Sequence, residues 1–186
     1  DFQQIEELQH RDDWDACGTL LADKAKQVEA AGADLLLICT NTMHRVAPEI
    51  DAAIDIPLLH IADATATQIK AAGKRKIGLL GTRFTMEQEF YRGRLEQHGI
   101  EVLVPPRPDR DLVHRVIYEE LCLGVVRDES REEFLRIINE LADAGAEGVI
   151  EGCTEIVMLV QPQHTSVDLF DTTAIHGRQA VAEALP

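Results

Sequence analysis

The amino-acid sequence predicts an α/β protein of two pseudo-symmetric lobes, each a parallel sheet flanked by helices, with a binding cleft between them. Three observations predict it. Short apolar runs alternate with helical stretches along the 186 residues, the pattern of parallel βαβ units. One phrase recurs: Ala31-Gly32-Ala33-Asp34 matches Ala144-Gly145-Ala146-Glu147, 113 positions later. Each copy follows a helical stretch and leads into an apolar strand that stops at a polar cluster.

The elements follow in order. Residues from about 10 to 31 read as one helix, with Leu20, Leu21, Ala25 and Val28 at helical spacing and Gly32 as its stop. Residues 34–40 form a continuous apolar run, the pattern of a strand covered on both faces. A helix over 42–54, a strand over 56–60 and a helix over 63–72 closed by Gly73 come next. The polar stretch Gly73-Lys74-Arg75-Lys76 is expected to cross from one lobe to the other. A strand over 77–81, a helix over 85–98 ended by Gly99, and a strand over 102–104 stopped by Pro105-Pro106 open the second lobe. Helices at about 109–123 and 129–144, strands at 148–152 and 167–170, and a closing helix from Thr172 complete it. The first lobe is thus expected over 1–73, with the closing helix 172–186 packing against it, and the second over 74–171.

Composition narrows the function class. A hydrophobic fraction of 45% implies a globular chain, and 4% aromatics imply a core of Leu, Ile, Val and Ala. No apolar run approaches the ~20 residues of a membrane span. The opening DFQQIEELQH lacks the features of a signal peptide. A net charge of −15 with no basic patch argues against a nucleic-acid reader. Such a surface repels anions at long range, so an anionic substrate must be attracted locally by helix N-termini or placed donors. Cys17, Cys39, Cys122 and Cys153 form no CxxC pair and no zinc spacing, which points to thiols in a reducing cytoplasm. No Walker A sequence and no GxGxxG after a strand suggests a nucleotide cofactor.

The chemistry is expected at the strand ends, because open α/β sheets bind ligands beyond the carboxyl ends of their strands. The first strand ends in Cys39-Thr40-Asn41-Thr42-Met43-His44 and its counterpart in Gly152-Cys153-Thr154-Glu155. Helices expected after both would offer free N–H groups to a carboxylate and lower a cysteine pKa. Two facing acid/base groups, one per lobe, fit abstraction of a proton on one face of a stereocentre and its return on the other.

These motifs resemble the cofactor-independent aspartate/glutamate racemases, whose members carry C-N-T-x-H in the first lobe and G-C-T-E in the second. The segments Gly81 to Met86 and Phe170 to His176 resemble the family too, so the resemblance spans nearly the whole chain. It implies a PLP-independent amino-acid racemase with no cofactor and no metal, acting on a small amino-acid substrate, and it leaves a homodimer open. Two departures stand out. The family opens with a strand and a glycine-rich loop that are absent ahead of Asp1, so an N-terminal truncation is expected. The family's first catalytic cysteine also directly precedes Asn-Thr, where this chain has Thr40. The ungapped repeat independently pairs Thr40 with Cys153; an offset longer by one pairs Cys39 with Cys153 but breaks the match at Ala31–Asp34. Side chains alternate along a strand, so Cys39 should face away if Thr40 faces the cleft, unless the strand has already ended. Thr40 is therefore the expected partner of Cys153, with Cys39 the alternative.

An alcohol is a far weaker acid than a thiol, so a Cys/Thr pair is asymmetric. The resemblance assigns the second-lobe cysteine to the L-enantiomer, which makes the expected function racemisation of L-aspartate or L-glutamate with Cys153 as base. Asn41, Thr42, Thr154, Thr82, Thr85 and Gln9 are the expected substrate-binding residues. Helix capping competes for the first three, helix initiation for Thr82 and Thr85. Glu155 reads as an ammonium contact or a first-turn acid, His44 and His176 as structural or positioning residues, and Cys17 and Cys122 as plain thiols. Alternatives are a broad-specificity amino-acid racemase, a related maleate isomerase, hydantoin racemase or malonate decarboxylase, and a non-catalytic small-acid binder.

Overall fold

The computed structural model describes residues 1–185. Helix α1 (Phe2–His10) begins at Asp1, whose carboxylate accepts the Gln3 N–H at 3.1 Å. The helix expected over about 10–31 starts later, at Trp14, and α1 ahead of it is unexpected. Asp12 adopts a left-handed φ of 56°, and Asp13 caps the separate helix α2 (Trp14–Ala30) by accepting from Ala16. Aspartate tolerates that conformation and caps well, which explains the break. Gly32 ends α2 with φ 92°.

Strand β1 (Leu36–Leu37) pairs in parallel with β2 (Leu58–Leu59), Leu36 opposite Leu58, as a two-stranded sheet. Both are shorter than the expected 34–40 and 56–60, because each has one neighbour and the ladder ends where that neighbour does. Between them lie a 3-10 turn (Thr42–Val46) and helix α3 (Ala47–Asp51), in place of one helix over 42–54. Pro48 lacks a backbone N–H and suits the first turn of a new helix. Helix α4 (Ile61–Ala71) follows, with Gly73 at φ 73° just beyond it.

The second sheet contains β3 (Lys76–Gly81), β4 (Glu101–Leu103), β5 (Val149–Gly152) and β6 (Leu169–Asp171) in the order β4-β3-β5-β6, all parallel. Helices α5 (Arg83–Glu87) and α6 (Glu89–Gln97) replace the one helix expected over 85–98, since Gln88 is extended at ψ 151°. Helix α7 (Arg107–Glu119) leads through a 3-10 turn (Leu121–Leu123) to α8 (Asp128–Asp143). The short α9 (Ile156–Leu159) and a 3-10 turn (Pro162–His164) connect β5 to β6. Helix α10 (Thr172–Ala184) closes the chain and packs on α4; Pro186 lies outside the described residues. Among the described residues no helix is long and apolar enough to cross a membrane.

Two apolar clusters hold the molecule. The smaller one gathers Trp14, Cys17, Ile38, Met43, Val46 and Ile50 around the β1–β2 side. The larger one surrounds the four-stranded sheet and includes Ile61, Ala62 and Ile69 of α4. Fully burying each Ile, Val or Met of these clusters contributes about 1.5–3 kcal/mol. The ends of β3 and β5 approach too closely for side chains. A Cβ on Gly81 would lie 2.8 Å from the Gly152 carbonyl oxygen, and one on Gly152 would lie 2.7 Å from that of Leu80. The glycine before Cys153 is therefore a packing requirement.

The sequence repeat reappears in the strand register. Leu36 and Leu37 pair with Leu58 and Leu59; Val149 and Ile150, 113 positions further on, pair with Leu169 and Phe170. The two equivalent helices before these strands stop at Gly32 and Gly145, with φ 92° and 96°.

Candidate active site

A cavity of about 600 Å³ opens at the carboxyl ends of β1, β3 and β5. Cys39, Thr40 and Thr42 reach it from the turn after β1, Thr82 from the turn after β3, and Cys153, Thr154 and Glu155 from the turn after β5. Residues from both sheets thus share one space. Cys39 does not face away from it, because the strand has already ended. Regular pairing of β1 ends at Leu37, so strand alternation no longer governs residues 39 and 40. Cys39 is exposed, Thr40 is half-buried, and both line the cavity.

Three threonine hydroxyls form a buried triangle across the two sheets. Thr42 Oγ1 lies 3.0 Å from Thr82 Oγ1 and 3.4 Å from Thr85 Oγ1, and the latter two are 3.3 Å apart. Thr82 also caps α5 by accepting the Thr85 N–H, so the binding and capping readings of this residue coexist. Thr42 and Thr82 line the cavity; Thr85 stands behind them. Asn41 is buried outside it. Its Nδ2 donates to Thr172 Oγ1 at 3.0 Å, and that hydroxyl donates to the Glu151 carbonyl at 2.9 Å, tying the turn after β1 to β5.

Cys153 Sγ donates to Glu155 Oε2 at 2.9 Å. Burial, followed by the Glu155 carboxylate, pushes the Cys153 thiol well above the usual cysteine range. The expectation of a thiol lowered by a helix N-terminus therefore fails: α9 has only 4 residues, and burial beside a carboxylate outweighs any dipole. Cys122, read from sequence as a plain thiol, lines the same cavity and is raised to about 11 by burial and then Glu155.

Gln9 lines the cavity but its amide is engaged. Tyr118 donates its hydroxyl to Gln9 Oε1 at 3.2 Å, and Gln9 Nε2 donates to Met43 Sδ at 3.0 Å. Tyr118 of α7 is the residue that sequence reading missed. It lines the cavity with Cys153 and joins α7 to α1, but nothing in the chain around it marks it beyond an ordinary helical position. Lys24 is the only lysine or arginine among the described residues that lines the cavity.

His44, His60 and His176 pack together beneath the turn after β1. Ring centroids are 4.3 Å apart for His44 and His60 and 6.0 Å for His44 and His176. Burial, then His60, holds His44 down at about 3; burial, then Arg94, holds His60 at about 4. Among the described residues no cluster of His, Cys, Asp and Glu is placed to hold a metal ion.

The Asp/Glu/hydantoin racemase family profile matches residues 3–180. The chain belongs to that family. This racemase is 56% identical to a Yersinia pestis protein provisionally described as an Asp/Glu racemase, with a TM-score of 0.92 over all of this chain and 81% of that one. It is 36% identical to an aspartate racemase homologue from Pyrococcus horikoshii OT3, with a TM-score of 0.84 over 96% of this chain and 79% of that one. It is also 23% identical over 176 residues to the broad specificity amino-acid racemase RacX of Bacillus subtilis, covering 93% of this chain and 74% of that one. The racemase is an isomerase built on the two-sheet α/β fold of its relatives.

Proposed function

We propose that this racemase acts on an acidic amino acid, L-aspartate or L-glutamate, by two-residue α-proton exchange, with Cys153 on one face of Cα and Thr40 on the other. The observation that carries the reading is that these two residues line one cavity from different sheets, at equivalent positions of the internal repeat. The substrate α-carboxylate is assigned to the hydroxyls of Thr42, Thr82 and Thr154, which supply donors without a charged clamp. Asn41 and Thr85 support that set from behind, and Gln9 acts through Tyr118 at the wall.

The resting site holds Cys153 as a thiol. Glu155 is placed to take its proton when the substrate ammonium group arrives and offsets the negative charge. The thiolate then abstracts the α-proton of the L-substrate, giving a carbanion and a thiol; a water held by Thr40 gives a proton to the opposite face, and the hydroxide left behind recovers through solvent the proton held by Glu155. Thr40 has no thiol, so abstraction from the D-substrate is inherently slower. Cys39, exposed on the same cavity, is the alternative occupant of the Thr40 role.

Broader amino-acid specificity is the second reading. Ile5, Met43, Ile117 and Tyr118 line the cavity and give it an apolar wall suited to uncharged side chains. Solvent-deuterium incorporation at Cα, measured across a panel of L-amino acids, tests both. Exchange confined to aspartate and glutamate supports the first reading, exchange across neutral residues supports the second, and no exchange with any of them refutes both.

A further inference from the structure

We infer that His44 is a positioning residue for the Thr40 side of the reaction, an assignment that rests on the racemase reading above. His44 is 1% exposed and sits in the 3-10 turn that follows the catalytic-position residues. Its two ring nitrogens have different backbone partners. Nε2 lies 3.1 Å from the Ile61 nitrogen at the start of α4, and Nδ1 lies 2.8 Å from the Thr40 carbonyl oxygen. A backbone N–H can only donate, so Nε2 accepts and the ring proton sits on Nδ1, where it is donated to Thr40. The neutral ring thereby anchors the carbonyl of Thr40 to the first residue of α4. Thr40 lies beyond the regular ladder of β1, which ends at Leu37, so strand pairing does not fix its backbone. The His44 hydrogen bond supplies that restraint.

The surroundings keep this tautomer in place. His60 packs at 4.3 Å and uses its own Nδ1 to accept from Ala62, while His176 donates from Nε2 to the Leu59 carbonyl at 2.8 Å. His60 and His176 are thus each committed to one backbone partner, and His44 to two. Among the described residues Cys153 shares no hydrogen bond with this cluster: its partner is Glu155. Loss of the His44 donor should therefore disturb one face of the reaction and spare the other.

Two amide substitutions separate the roles of the ring nitrogens. Asparagine places an amide nitrogen where Nδ1 sits and keeps the donor to Thr40; glutamine reaches the Nε2 position, keeps an acceptor for Ile61 and loses that donor. Two quantities are measured in D2O with L-aspartate and L-glutamate: α-proton exchange in recovered L-substrate, and formation of D-product. In His44→Gln the D-product formed per exchange event falls about tenfold or more, in line with the ~10²-fold cost of a 1 Å misplacement, while in His44→Asn it stays within about twofold. A merely structural role moves exchange and product together, so parallel loss in both variants overturns the assignment, as does an unchanged ratio in His44→Gln. Nitrogen-15 NMR of the unsubstituted protein gives a check independent of variant folding: a His44 ring protonated on Nδ1 is expected, and one protonated on Nε2 overturns the role. An unsubstituted protein inert in both assays refutes the racemase reading itself, and the positioning role with it, which is a different failure from a shifted ratio.

Discussion

Cys153 Sγ lies 2.9 Å from Glu155 Oε2 and donates its proton to it. This pair sets the protonation state of the site. Burial and then the carboxylate hold the thiol above its ordinary range, so the resting enzyme is poised with a protonated sulfur. Replacing Glu155 by Gln removes a cause that raises the thiol pKa. The midpoint of the Cys153 alkylation rate against pH should move down, while α-proton exchange from the L-substrate falls because the proton acceptor is gone. An unchanged alkylation midpoint would show that Glu155 does not control the thiol.

The threonine triangle predicts a split between binding and chemistry. Thr82→Val removes the hydroxyl that faces Thr42 at 3.0 Å and that caps α5. Loss of such a buried hydrogen bond and cap costs about 1–3 kcal/mol of stability. KM should rise more than kcat falls, and Thr82→Ser should restore both. Steady-state kinetics and thermal unfolding of the two variants check this, and equal behaviour of Val and Ser would remove the hydroxyl from the account.

The histidine cluster predicts acid sensitivity. His44 and His60 titrate at about 3 and about 4 in the folded protein, lowered chiefly by burial. In the unfolded chain they take up protons near pH 6.5, so acidification below that value favours unfolding until the folded values are reached. At pH 5 each buried imidazole should withdraw about 2 kcal/mol of stability relative to pH 7.5. Glu151 titrates in the opposite sense over this range, so the test is made in Glu151→Gln: urea midpoints there should fall steeply from pH 7.5 to pH 5, and a flat profile would contradict a neutral buried cluster.

Glu151 predicts the opposite flank of the profile. It is 4% exposed, opposes Asp171 across the β5–β6 register, and its Oε1 has no hydrogen-bond partner among the described residues. Burial and then Asp171 raise its carboxyl to about 8. The folded protein holds the proton that the unfolded chain releases near pH 4.5, so stability falls as pH rises from about 4.5 and the loss is complete once pH passes 8. Glu151→Gln should therefore stabilise the protein by roughly 1–3 kcal/mol at pH 8 and above, with little gain near pH 4, as read from thermal midpoints. Destabilisation by Glu151→Gln at pH 9 would refute a raised Glu151 carboxyl.

The sequence was informative where local chemistry decides the outcome. Gly32 and Gly145 mark helix ends, and the match of Ala31–Asp34 to Ala144–Glu147 carried over into the strand register of Leu36 and Val149. It was uninformative where one residue breaks an otherwise helical stretch. Gln88 divides the helix expected over 85–98, and nothing periodic announces the break; α1, ahead of Asp12, is not anticipated at all. Cys153, Thr42, Thr82 and Thr154 could be placed at one site because parallel strands deliver their ends to one edge. Tyr118 could not, since its approach to Gln9 depends on how α7 packs against α1. The direction of the Cys153 shift was also hidden, because burial is a property of the packed molecule rather than of the motif.

The central claim is that Cys153 and Thr40 form an unequal acid/base pair. Deuterium wash-in at Cα, measured separately from the L- and D-enantiomers of aspartate and glutamate, tests it most directly. The account predicts rapid exchange from the L-enantiomer, slow exchange from the D-enantiomer, loss of L-exchange in Cys153→Ser, and loss of D-product with retained L-exchange in Thr40→Ala. Equal exchange from both enantiomers, or a Cys39→Ala variant that loses D-product while Thr40→Ala does not, would contradict it.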